Sequence, residues 1–85
     1  MRINSSPELD RRIQAMLAEA LQIEPALATP DLAFGDLPQW DSLGHMELMM
    51  RLEQEFGVEM DTDLIAQLTS FNAIHDFLLS KRQDG

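Results

Sequence analysis

Apolar residues return along this chain at helical spacing, in four runs. In the first, Leu9, Ile13, Met16, Leu17, Ala20 and Leu21 keep the step of three or four that one buried stripe requires. Ser6 then Pro7 reads as an N-cap and first helical position, where the missing N–H of proline costs nothing, while Ser5 with Glu8 offers an alternative capping box. This predicts a helix over residues 7–22. Pro25 and Pro30 bar its continuation. Residues 23–40 read as a long ordered loop pinned by Leu27, Leu32, Phe34 and Leu37, and a loop of that length in a compact domain points to function. The second helical run opens at Asp41, a strong N-cap, and closes at Gly57, which suits the left-handed conformation past a helix end. Val58 and Met60 then anchor a connection to the core. Asp61, Thr62 and Asp63 start a short third helix through Leu68, with Leu64, Ile65 and Leu68 inward. Thr69 or Ser70 caps a fourth helix to about Lys81, buried along Phe71, Ile74, Phe77 and Leu78, with Lys81 and Arg82 suiting its negative end.

The expectation is all-α: a small four-helix bundle with a long loop between helices one and two and a short third helix. Its 85 residues suffice for one modest core and one domain, 1–85, with flexible ends at about 1–5 and 83–85.

The second helix has two apolar faces. At about 100° per residue, Leu48, Met49, Leu52 and Phe56 fall on one side. Leu43, Met46 and Met50 fall nearly opposite, beside Glu47, Glu53 and Gln54. One stripe suffices to reach a core. The second suits partners, because flexible, polarisable Met adapts to several surfaces.

Charge sharpens that picture. The formal net charge is −9. Nine acids against Arg51 alone place −8 of it between Asp31 and Asp63. Such a field excludes the basic footprint that nucleic acid needs and favours steering towards basic protein surfaces, although a solvated acidic face would also aid solubility. Cys is absent, so disulfides and thiolate chemistry are excluded. No apolar stretch resembles a signal peptide or reaches membrane-spanning length, so the expected location is cytoplasmic, with no membrane insertion.

The chemistry points to Ser42. As the residue after the cap, it holds its hydroxyl at the positive end of the helix dipole, where free amides and the dipole favour a phosphate. Ser42 and His45 have the residue types of a nucleophile and its base, but the sequence supplies no third member or oxyanion site, and His45 falls on the core side. Asp61-x-Asp63 lacks the glycine and the twelfth-position acid of a calcium loop, so helix capping accounts for it. His45 and His75 lack a metal-ligand pattern, and no metal site or enzymatic activity is expected. Trp40 reads as a packing anchor of the loop.

Asp41-Ser42-Leu43 opening an acidic helix that closes with Glu55-Phe56-Gly57 resembles the attachment site of acyl carrier proteins, a likeness running from about Leu9 to Leu79. It implies a free-standing, monomeric carrier whose Ser42 is esterified by 4′-phosphopantetheine from coenzyme A, with Asp41 and Leu43 flanking the attachment. It also implies as partners a phosphopantetheinyl transferase and acyl-loading and acyl-processing enzymes with basic docking surfaces, met through Leu43, Met46, Glu47, Met50 and Glu53. Three residues, Pro38, Gln39 and Trp40, separate Leu37 from Asp41 where fatty-acid-synthesis carriers typically have two. Gly44 and His45 replace the usual polar or acidic pair, and Arg51 adds a positive charge. These departures point to a specialised biosynthetic pathway. The alternatives are an unmodified acidic helical interaction module, or a peptidyl or aminoacyl carrier.

Overall fold

A computed structural model describes the backbone of residues 7–84 and the side chains of residues 7–81. Four helices form it: α1 (Pro7–Leu21), α2 (Ser42–Phe56), α3 (Thr62–Gln67) and α4 (Phe71–Asp84). The expected caps at Ser5 or Ser6, the expected flexible end at residues 1–5, residue 85 and the side chain of Arg82 lie outside the described residues, whereas the backbone of residues 83 and 84, expected to be flexible, is helical.

α1 buries its whole expected stripe, from Leu9 to Leu21. It stops one residue earlier than expected, because Gln22 takes a left-handed φ of 57° and the Ile23 amide donates back to the Ala18 carbonyl at 3.1 Å. That six-to-one bond is a Schellman closure, here without the usual glycine. The core joins α1 to Leu48, Met49 and Leu52 of α2 and to Phe71, Ile74 and Leu78 of α4, with Trp40 and Leu68 closing it.

The loop is ordered, with one 3₁₀ turn, Pro25–Leu27. Two of its four expected pins hold: Leu32 is buried and Leu37 half-buried, but Leu27 and Phe34 are 47% and 43% exposed. Trp40 is fully buried, as expected of a packing anchor, and Ala28 adds a buried residue that was not expected. Backbone pairing explains how Phe34 holds its place without burial. Its amide donates to the Thr69 carbonyl at 2.8 Å, and the Phe71 amide donates to Leu32 at 2.9 Å, around an isolated antiparallel bridge between Ala33 and Ser70. The Asp36 carboxylate turns the chain beside this bridge by accepting the Ala33 amide at 2.9 Å.

Both ends of α2 form as expected. Gly57 has φ 66°, and its amide reaches the Glu53 carbonyl. Phe56 is only half-buried, and the Arg12 guanidinium lies over its ring at 4.3 Å. Asp61 caps α3 through the Leu64 amide at 2.8 Å, and Ser70 Oγ accepts the Ala73 amide at the start of α4. Two expected inward sets are shallower than their spacing suggested. Leu64 and Ile65 are half-buried on a helix too short to sink a full stripe, and Phe77 is half-buried near Lys81. α4 continues past Lys81 to Asp84.

Candidate functional site

Ser42 is the first residue of α2 and is exposed. The extended backbone of Asp41 (φ −106°, ψ −168°) ends the loop, and its carboxylate accepts the Gly44 amide at 2.9 Å. The His45 amide makes the first intrahelical bond, to the Asp41 carbonyl. No described hydrogen bond uses the Ser42 and Leu43 amides, which therefore lie at the helix mouth beside the hydroxyl, available to an anion. An exposed hydroxyl with such amides fits a phosphodiester.

Trp40 sets the approach of this mouth. Fully buried, it fixes the end of the loop, and its amide donates to the Leu37 carbonyl while its own carbonyl accepts from Gly35 (φ 90°). Gly44 sets the depth. A Cβ on Gly44 would run into the Gln39 carbonyl oxygen and lie 3.0 Å from Leu21 Cδ2, so only glycine lets the first turn of α2 sit against loop and α1 together. Glycine early in a helix is the signal that sequence reading had for this contact.

Around Ser42 the two faces of α2 separate cleanly. Leu48, Met49 and Leu52 are buried, while Leu43 (77%), Met46 (45%) and Met50 (51%) are exposed. Glu47 and Glu53 are exposed beside them, and Glu53 accepts the Met60 amide at 3.3 Å. Arg51 does not stand as a free cation among these acids. Its guanidinium meets Glu19 of α1 at 2.7 Å, on the flank of an open groove that also takes in Gln22, Gln39, Asp41, Leu43, Gly44 and Glu47.

His45 is buried as its spacing predicted, with a bonding pattern that the sequence did not show. Trp40 Nε1–H donates to its Nδ1 at 3.1 Å, and its Nε2 lies 2.7 Å from the Ile65 carbonyl oxygen. Both nitrogens are thus occupied. Among the described residues no cluster of three or more acids or histidines is placed to hold a metal, and no helix is long and apolar enough to cross a membrane.

Comparison with known proteins agrees with the geometry. Residues 11–78 match the family described as the phosphopantetheine attachment site. The acyl carrier protein of Thermosynechococcus vestitus is 32% identical over 74 residues, covering 87% of this chain and 91% of that protein. The acyl carrier protein of Guillardia theta is 28% identical over the same shares. With a phosphopantetheine attachment region spanning all four helices, and a helix mouth whose chemistry suits that group, this chain belongs to the acyl carrier protein family.

Proposed function

We propose that the chain carries acyl groups on a 4′-phosphopantetheine arm esterified to Ser42, and that it has no catalytic activity of its own. The observation that carries this reading is the exposed Ser42 hydroxyl at the mouth of α2, beside the Ser42 and Leu43 amides that the Asp41 cap does not use, inside the matched region. The bound arm supplies a terminal thiol for thioester formation. The chain contributes position: Asp41 fixes the first turn, the Ser42 and Leu43 amides and the dipole stabilise the phosphodiester, and Trp40 and Gly44 hold the mouth at the surface. In the attachment step the Ser42 oxygen attacks the β-phosphorus of coenzyme A, the adenosine bisphosphate leaves, and a transferase supplies the base and metal that the chain lacks.

The exposed Leu43, Met46 and Met50 with Glu47 and Glu53 are the docking face for that transferase and for acyl-loading and acyl-processing enzymes. Carboxylates speed the encounter with basic surfaces, and desolvated apolar side chains hold the complex. The Trp40–His45 pairing and the Gly44 contact are built on the positions where this sequence departs from fatty-acid-synthesis carriers, which supports service in a specialised pathway.

Intact mass after incubation with coenzyme A, magnesium and a phosphopantetheinyl transferase tests the attachment. The parent should gain one arm, and Ser42→Ala should fold alike and gain none. An arm on Ser42→Ala would overturn the assignment of Ser42. A parent that never gains mass would leave an unmodified acidic binding module as the reading.

A further inference from the structure

The two bonds of His45 fix its protonation. An indole N–H only donates and a carbonyl oxygen only accepts. Nδ1 is therefore bare and accepts from Trp40, and Nε2 carries the proton and donates to Ile65. The carbonyl it reaches has no other evident claim. α3 ends at Gln67, and the Thr69 amide, which a longer helix would have aimed at Ile65, donates to the Gln67 carbonyl instead. His45 thus satisfies one of the orphan carbonyls at the end of a six-residue helix.

α3 is seated shallowly. None of its residues is fully buried, and Leu64 and Ile65 pack half-buried against the core. Among the described residues, the bond from His45 is the one that ties the backbone of α3 itself to another helix. We propose that His45 is a positioning residue acting as a proton-sensitive latch: neutral, it holds α3 against α2 one turn from Ser42, and protonated, it lets α3 go. A second proton on Nδ1 would face the Trp40 N–H, donor against donor, and place a charge on a ring that is 6% exposed beside Trp40 and edge-on to Phe34 at 5.6 Å.

The charged groups on the elements packed around His45 include Asp36 of the loop, the cap residues Asp41 and Asp61, Glu47 of α2 and Asp63 of α3; all are exposed, and none forms an ion pair with the ring among the described residues. Because Trp40 donates to Nδ1 in the latched form, a proton added there must break that bond, so acid favours release and rising pH favours closure. His75 has the opposite arrangement, with Nε2 3.5 Å from Asp10 of α1 and Nδ1 3.4 Å from its neighbour Asp76, so its protonation completes ion pairs and leaves α1 and α4 joined.

The test uses the full chain without its arm, so it stands apart from the carrier reading. Spectra of ¹⁵N-labelled protein are followed between about pH 7.5 and 5.5, spanning the titration of an ordinary imidazole. The single tryptophan makes the Trp40 indole signal unambiguous. It should move together with the Ile65 and Leu68 amides, and exchange protection of those amides should fall roughly fivefold to tenfold relative to α1, the worth of one hydrogen bond. His45→Gln, whose amide nitrogen can still donate to Ile65, should hold α3 without titrating, and His75→Gln should keep the transition. Indole and α3 signals that stay flat in the parent, that still titrate in His45→Gln, or that lose their titration in His75→Gln would each overturn the latch. Ring ¹⁵N shifts of the parent need no variant: the Nε2–H form at neutral pH is expected, and an Nδ1–H form refutes the proposal.

Discussion

Replacing Gly44 with Ala sets two effects against each other. In an open helix interior, Ala is favoured over Gly by about 1 kcal/mol, because glycine loses more backbone entropy on folding. At this position the added methyl meets the Gln39 carbonyl oxygen within van der Waals radii and crowds Leu21 Cδ2 at 3.0 Å. The leucine can turn aside; a backbone carbonyl in a loop pinned by a fully buried Trp40 cannot do so cheaply. Overpacking typically costs about 1–3 kcal/mol, and a backbone obstacle belongs to the upper part of that range. The clash therefore wins, leaving a net loss of about 1–2 kcal/mol. For a domain of this size each kcal/mol corresponds to about 4–8 °C in Tm. Thermal denaturation of the unmodified protein, followed by far-ultraviolet circular dichroism, measures it. A Tm equal to or above that of the parent would show that loop and helix do not meet at Gly44, and would refute the account of how the mouth of α2 is seated.

Adjacent methionines give a sharp contrast. Met49→Ala should cost about 2–5 kcal/mol in chemical denaturation, as a fully buried side chain does, whereas Met50→Ala should stay within about 0.5 kcal/mol of the parent. A large loss at Met50 would mean that its face is covered rather than offered to partners. Glu47→Lys should slow arm attachment by the transferase several-fold at low salt and much less once exposed charges are screened. An equal effect at both salt concentrations would remove Glu47 from the steering field.

The helices were legible where local chemistry marks them. Asp41 and Gly57 announce both ends of α2 by capping, and the two faces of that helix follow from spacing alone. The end of α1 was less so, since nothing in Gln22 advertises a left-handed residue; tertiary demand placed it there. Leu27 and Phe34 look like pins because they are large and apolar, yet the loop is held by backbone bonds to the α3–α4 junction that no side-chain pattern encodes. The exposed position of Ser42 at the start of α2 was readable from its cap. The service of His45 to the Ile65 carbonyl was not, because an orphan carbonyl becomes visible only when the end of α3 is known.

The bridge between Ala33 and Ser70 also divides the loop before Ser42 into two differently held parts. Trp40 holds its far end by full burial, whereas two backbone bonds hold the segment around Phe34, whose side chain is 43% exposed. Backbone bonds beside exposed side chains open by local excursions far smaller than global unfolding. The segment around Phe34 can therefore part from the α3–α4 junction while the buried Trp40 keeps the mouth of α2 in place.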